Sequence, residues 1–309
     1  MIFMRDNAKN STVLVVGATG LLGTEICQLL AESGRKVKAL VREGSDPDKV
    51  KVLQKMGVSK VKGDLKDPGS LAKAMKGTNA VISTASASFS HREGDSIETV
   101  DNKGQLNLVK AAEDAGVGQF VFISFYPMKS EFALQTAKRE VEKKLKGSKL
   151  NYTILQPGFF MEIWLSPAVG FDFTHANAKI YGEGINKIHW ISYKDVAAFA
   201  VASLGKKEAS KVVFPLGGPD ALSPLEVIRV FEDEIGTHFS IEHVHEDALH
   251  AQKSAATDSL SESFAGLMLA YAQGTQMHMK EILKLYPIKM RSVKDYAKQS
   301  VHATGEVHH

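Results

Sequence analysis

The sequence predicts an α/β protein: a doubly wound parallel sheet over the first half, then a smaller, mostly helical C-terminal lobe. Three observations predict it. Short β-rich runs alternate with amphipathic helical stretches from residue 12 to about residue 156, the pattern of parallel strands joined by crossover helices. The first run leads straight into the turn Gly17-Ala18-Thr19-Gly20-Leu21-Leu22-Gly23, which opens a helix. After Pro157 strand signals become sparse and helical ones take over.

Taken in order, residues 12–16 form the first strand. The helix after the turn puts Leu22, Ile26, Leu29 and Leu30 on one face, and Gly34 stops it. Residues 36–41 alternate polar and apolar as a second strand. Asp46-Pro47 and Asp67-Pro68 each offer a capping carboxylate followed by proline at the first helical position. Between and after those helices lie strands at 58–61 and 80–83. A polar stretch, residues 84–95, precedes a single long helix expected to reach Ala115. A strand at 120–124, a helix at 131–146 and a strand at 152–155 complete the alternation. Beyond it, strands are expected at 212–214 and 239–244, and Ser223-Pro224-Leu225-Glu226 reads as a capping box. The division is therefore 1–156 for the sheet domain and 157–309 for a substrate-binding lobe, with the chain partly interwoven between them.

Composition bounds the function. With 44% hydrophobic and 24% charged residues the chain can bury a sizeable core, and its net charge of +3 gives no nucleic-acid footprint. One cysteine, Cys27, excludes an intrachain disulfide and a thiolate metal cluster, and its place in an amphipathic helix makes it a buried thiol. No apolar run reaches membrane-spanning length, so a cytoplasmic location is expected. His243, His245 and His250 are the one histidine cluster, and no carboxylate or cysteine at good spacing completes a metal set.

The glycine turn acts through backbone geometry. Gly17 permits the sharp exit from the strand, Gly20 lets the main chain approach a pyrophosphate, and Gly23 lets the helix pack on the sheet. Thr19, Leu21 and Leu22 complete the cradle, and free N–H groups at the helix start face the anion. This is a Rossmann signature for NAD(P)H. At the end of the second strand Arg42 matches a 2′-phosphate and so NADP(H), whereas neighbouring Glu43 would serve the ribose of NAD(H) or form a local ion pair. Thr84 and Ala85 are small residues at the sheet edge that let a cofactor lie close.

The stretches Val16-Gly17-Ala18-Thr19-Gly20, Leu40-Val41-Arg42, Gly63-Asp64-Leu65 and Thr153-Ile154-Leu155-Gln156-Pro157-Gly158-Phe159-Phe160 resemble the NmrA-like group of atypical short-chain dehydrogenase/reductases. That group includes isoflavone-reductase-like enzymes, triphenylmethane and quinone reductases, and non-catalytic NADP sensors. The resemblance implies adenine contacts at Asp64 and Leu65, with a turn cap as the other reading of Asp64. It implies a nicotinamide and substrate wall at Pro157 and Phe159, with core packing as the alternative for the phenylalanines. It also implies that Asn102, in Val100-Asp101-Asn102-Lys103-Gly104, steadies the site wall.

For chemistry, short-chain reductases commonly use a tyrosine four residues before a lysine, with a serine polarising the substrate carbonyl. Ser124 matches the serine and Lys138 the lysine, but the tyrosine position is Leu134, which cannot donate a proton. The resemblance implies that Lys138 itself holds the nicotinamide ribose and acts as acid or base. Tyr126 is the nearest replacement phenol. The loop 86–96, with Phe89 and His91, is the candidate lid, and Tyr181 and Trp190 are candidate walls of an aromatic pocket. The expectation is an NADPH-dependent reductase of a flat, apolar small molecule such as a quinone or conjugated aryl compound. The alternative is a sensor that binds NADP(H) and a protein partner without turnover. Neither reading needs nucleic acid, membrane or metal, and both are compatible with a homodimer.

Overall fold

A computed structural model describes residues 11–305 apart from Phe89 and His91, so the two lid residues expected at those positions lie outside the described residues. The chain begins with β1 (Thr12–Val16), α1 (Leu21–Glu32), β2 (Lys36–Val41), α2 (Pro47–Lys55), β3 (Ser59–Lys62), α3 (Pro68–Met75) and β4 (Ala80–Ser83). It continues through α4 (Gln105–Asp114), β5 (Gln119–Ile123), α5 (Ala133–Lys146) and β6 (Tyr152–Pro157). Then follow α6 (Met161–Trp164), β7 (Phe171–Asp172), β8 (Asn177–Tyr181), β9 (Ile188–His189), α7 (Tyr193–Ala202), β10 (Val212–Leu216), β11 (Ala221–Leu222), α8 (Pro224–Ile235), β12 (Ser240–Val244), α9 (Glu246–Ala255), α10 (Ser259–Gln273), α11 (Lys280–Leu285) and α12 (Val293–Gly305).

Seven strands form the main sheet in the order β10-β6-β5-β4-β1-β2-β3. The pairings along β6-β5-β4-β1-β2-β3 are parallel. Helices cover both faces, so the central strands are apolar almost throughout: Val13, Leu14, Val15, Val81, Ile82, Phe120, Val121 and Phe122 are fully buried. The order reverses beside β1, the place where open α/β sheets bind ligands beyond their strand ends. The caps work as their chemistry requires. Asp46 accepts from Asp48 N and Lys49 N, and Asp67 from Gly69 N and Ser70 N.

Two expectations are corrected. The strand expected at 212–214 belongs to the main sheet as the edge strand β10, beside β6, rather than to the C-terminal lobe. The single long helix reaching Ala115 is two segments, because residues Ile97–Gly104 adopt a π-helix before α4 begins. Ser96 and Thr99 cap that segment reciprocally. Within it Gly104 packs so tightly that a Cβ would lie 2.8 Å from Thr99 O and 2.9 Å from Leu65 Cβ. Single π turns cluster at functional sites because they shift the phase of a helix.

The chain divides into two compact units. One comprises the residues through Phe125, Ala133–Gln156 and Val196–Phe214, so most of α7 and β10 return to the sheet. The other comprises Tyr126–Phe132, Pro157–Asp195 and the residues from Pro215 on. This second unit carries a three-stranded sheet, β12-β8-β7, and an antiparallel pair, β11-β9, together with its helices. Its core is aromatic. The Phe159 ring meets Trp164 edge-on at 4.8 Å and Tyr271 at 6.1 Å, and Trp190 packs 5.8 Å from the same Tyr271. The Ser223–Glu226 capping box forms in full. Among the described residues no helix is long and apolar enough to cross a membrane.

The three glycines of the turn do different work. Gly17 adopts a φ of +84°, which favours glycine, and a Cβ at Gly23 would lie 2.1 Å from Gly17 O. Both are demanded by the fold itself. Gly20 has ordinary extended angles (φ −84°, ψ 168°), and a Cβ there meets only Gly17 O at 3.4 Å. Gly23→Ala should therefore lose about 3 kcal/mol of stability in urea or thermal unfolding, because backbone must move. Gly20→Ala should lose no more than about 1 kcal/mol, the ordinary range of a helix-cap change.

Candidate dinucleotide site

The helix α1 starts at Gly20 without a side-chain cap and without an acidic residue in its first turn. Among the described residues no side chain of opposite charge therefore caps its terminal N–H groups and dipole. Thr24 Oγ1 donates to Ala18 O at 3.0 Å and fixes the turn from the inside. On the outside Gly20 and Leu21 are exposed, Leu21 by 60% although it is leucine. The open space at Gly20, the uncapped N-terminus and the exposed Leu21 are what a pyrophosphate lying on the turn requires. Thr84 Oγ1 donates to Val16 O at 3.2 Å, and Ala85 O accepts from Gln105 Nε2, so both small residues are held at the end of β4.

At the end of β2, Arg42 is bound. Its Nη1 donates to Asp95 Oδ2 at 2.5 Å, while Lys66 Nζ donates to Asp95 Oδ1 at 2.7 Å. Ser90 also donates to Asp95. Burial would raise the Asp95 carboxyl, but the hydrogen bonds from Lys66, Ser90 and Arg42 outweigh it and hold the group at about 2. Glu43 points away to Lys62, 2.9 Å distant, and is exposed, so the local ion pair foreseen for it is formed. Asp64 Oδ1 accepts from Lys66 N, the turn-capping role, and Leu65 is buried against Gly104.

The π-helix places Asp101, not Asn102, inside. Asp101 is fully buried; its Oδ2 accepts from Ala87 N at 2.8 Å, and its Oδ1 has no hydrogen-bond partner among the described residues. That second oxygen lies 3.3 Å from Lys138 Nζ, an ion pair without hydrogen-bond geometry. Lys138 is 5% exposed and also lies over the Phe122 ring, 5.1 Å from its centre. A nearly buried ammonium with an orphaned carboxylate oxygen beside it is an incomplete polar cluster. Asn102 instead donates to Glu140 at 2.5 Å. Leu134, one turn before Lys138, is buried on the same helix.

Ser124 is buried at the end of β5, and its Oγ accepts from Arg139 Nη2 at 3.3 Å. Arg139 also donates to the Phe125 carbonyl and, at 2.6 Å, to buried Glu142, which in turn accepts from Gln156 at 2.8 Å. The serine is thus oriented, and its own hydroxyl proton makes no hydrogen bond among the described residues.

Three expected residues, Tyr126, Pro157 and Phe159, lie in the second unit. The Tyr126 hydroxyl donates to Gln276 O at 2.7 Å, and its amide donates to Pro157 O. Phe159 is 2% exposed, a core position, and Phe160 beside it is half-buried. Tyr181 and Trp190, read as pocket walls, are core residues whose polar ends donate to Val169 O and Leu222 O. Burial pushes the Cys27 thiol up to about 12, which makes it inert at neutral pH. Among the described residues no group of histidines, cysteines and carboxylates is disposed to hold a metal. Asp95, Lys66 and Asp101 were not singled out from the sequence. A capping box at Ser96 was its only available hint, since it sets the helix phase that turns Asp101 inward.

A parallel sheet whose first strand feeds a glycine turn and an uncapped helix is the architecture of dinucleotide-binding proteins. Within that class, residues 9–297 match the model of the NmrA-like family, and the chain belongs to that family. It is 29% identical to the NAD(P)H azoreductase of Xenophilus azovorans over 95% of this chain and 99% of that protein. It is 32% identical to a photosystem II assembly factor of Synechocystis, over 78% of this chain and 73% of that one. Among solved structures it resembles an NADPH-dependent quinone oxidoreductase from Escherichia coli complexed with NADPH, with a TM-score of 0.75 at 23% identity. That match covers 94% of this chain and 99% of the other.

The Asp95 cluster has a measurable signature. Its folded pKa lies below the unfolded value of about 3.9, so the stabilisation is complete above that pH and is lost as pH falls towards 2. Asp95→Asn should cost on the order of 2 kcal/mol at neutral pH, and the gap should close in acid. Thermal melts of the two proteins that stay equally far apart from neutral pH to the acid limit would show that these ion pairs do not form in solution.

Proposed function

We propose that the protein is an NADPH-dependent reductase of a flat, conjugated electrophile such as a quinone or azo compound. The observation that carries this reading is the buried Lys138 ammonium, 3.3 Å from the Asp101 oxygen that has no hydrogen-bond partner among the described residues. The kinship with an NAD(P)H azoreductase along nearly the full chain supports the substrate class.

In this reading the turn from Gly17 to Gly23 and the start of α1 hold the pyrophosphate, and Arg42 holds the 2′-phosphate. Thr84 and Ala85 flank the cofactor at the sheet edge, and Asp64 and Leu65 flank the adenine. The nicotinamide, when bound, supplies a hydride to the substrate. Lys138 holds the ribose hydroxyl and carries the proton that a reduced quinone or azo nitrogen must receive. Asp101, 3.3 Å away, keeps that lysine aimed. Ser124, clamped by Arg139, orients a polar atom of the substrate through its free proton. The Tyr126 proton is engaged by Gln276 O, so the phenol is not assigned the acid role.

NADPH oxidation in the presence of a panel of quinones, azo dyes and enones tests the activity. Turnover of at least one quinone or azo compound is expected. Tight NADPH binding with no turnover across the panel would instead establish the sensor reading, which the buried leucine at position 134 and the assembly-factor relative favour.

Two variants give sharper outcomes. Arg42→Ala should weaken NADPH binding by roughly tenfold or more while leaving NADH nearly unchanged, because a charge-assisted pair contributes about 1.5–3 kcal/mol. Equal affinity of the wild type for both cofactors would sink the NADP assignment and bring Glu43 back as a ribose ligand.

Lys138→Met should lower turnover by roughly 10²–10⁴-fold, the range of general acid–base assistance, and NADPH affinity far less. The substitution strands the buried Asp101 charge, so the double variant with Asp101→Asn serves as the folding control. Near-wild-type turnover in a folded Lys138→Met protein would remove the lysine from the mechanism and return the proton to Tyr126.

A further inference from the structure

Arg42 and Lys66 reach one carboxylate from different elements. Arg42 follows β2, Lys66 follows β3, and Asp95 comes from the segment after β4. The Asp95 side chain is 1% exposed, whereas the side chains of Arg42 and Lys66 are each 33% exposed. The anion is therefore the inner layer and the cations are the outer one. Each cation uses a single donor on Asp95, and the remaining side-chain donors make no hydrogen bond among the described residues. A third cation adjoins them. Arg92 Nη2 donates to Glu43 O at 2.8 Å and lies 2.9 Å from where a Gly44 Cβ would stand. Glu43 itself is neutralised by Lys62. Arg42, Lys66 and Arg92 against the carboxylates of Asp95 and Asp64 leave a net positive charge at the end of β2. That sign is complementary to a phosphate monoester, which carries about −1.5 to −2 at neutral pH.

We propose that Lys66 is a second ligand of the cofactor's 2′-phosphate, and that Asp95 is the buried counter-ion that sets Arg42 and Lys66 side by side to receive it. This rests on the NADP reading given above and extends it: the choice of cofactor depends on residues from three elements rather than on the arginine alone. Asp95 stays ionised throughout the neutral range, so it keeps both side chains ordered before the ligand arrives. Less entropy is then lost on binding than if two free side chains had to be gathered.

The test is a binding titration, read by fluorescence or calorimetry, with NADPH against NADH and with adenosine 2′,5′-bisphosphate against AMP. The proteins are the wild type, Arg42→Ala, Lys66→Met and Lys66→Arg. Lys66→Met is expected to weaken NADPH and the bisphosphate by roughly tenfold or more, and to leave NADH and AMP unchanged. Lys66→Arg is expected to restore most of the difference, because it restores the charge. A Lys66→Met protein that keeps the full NADPH preference, while Arg42→Ala loses it, overturns the role of Lys66 and leaves the NADP reading intact. Equal weakening of NADPH and NADH in Lys66→Met also overturns it, since the lysine would then only hold the loop. A wild type that binds both cofactors alike overturns the NADP reading, and this inference with it.

Discussion

The contact between Gly23 and the carbonyl of Gly17 is the constraint on which the rest of the first unit depends. With no side chain between them, α1 lies directly on the end of β1, and its N-terminus is brought over the strand order's reversal. Thr24 locks the same turn through Ala18 O. A helix end fixed this firmly can be left uncapped, because the sheet rather than a capping side chain holds it in place. The open ground at Gly20 follows from the same arrangement, since among the described residues only Gly17 O lies within 4 Å of where its Cβ would stand.

Around that turn the polar groups form two clusters of opposite character. At the end of β2 the buried carboxylate is saturated while its cations keep spare donors: Asp95 collects Arg42, Lys66 and Ser90, and its acidity rises accordingly. Beside β4 and β5 the cluster is incomplete: Asp101 is satisfied on one oxygen only, and Lys138 faces the other without a hydrogen bond. Saturation suits a site that must select by charge and stay rigid. Incompleteness suits a site where a proton moves, since a group held by every donor and acceptor it can use has no freedom to exchange one. The segment after β4 serves both clusters, through Asp95 at one end and the Ala87 amide at the other.

Much of the first unit was legible in the sequence, because its signals are local. The strands fell within a residue or two of their places, and the Asp-Pro caps and the Ser223 capping box formed as their chemistry requires. The family resemblance carried by the glycine turn and the stretch ending in Phe159-Phe160 was right. What escaped depends on distance. Asp95 meets Lys66 across 29 positions and Arg42 across 53, and nothing in the local pattern pairs them. The edge strand β10 reads like any short apolar run, and only its neighbour β6 assigns it to the sheet. Aromatic residues serve equally in walls and cores, so the sequence leaves Phe159 open between the two and suggests Tyr181 and Trp190 as walls. Their packing around Tyr271, far along the chain, gives them core positions.

The π-helix has a consequence for how this scaffold tolerates changes of length. A π turn is an α-helix with one residue inserted, and each residue of an α-helix advances the side chains by about 100°. Removing a single residue between Ile97 and Asp101 would let the segment relax to an ordinary α-helix. Asp101 would then swing out of phase with Lys138, while Leu108 and Val109, on α4, kept their place in the core. The ion pair is thus encoded by an insertion as well as by its two residues.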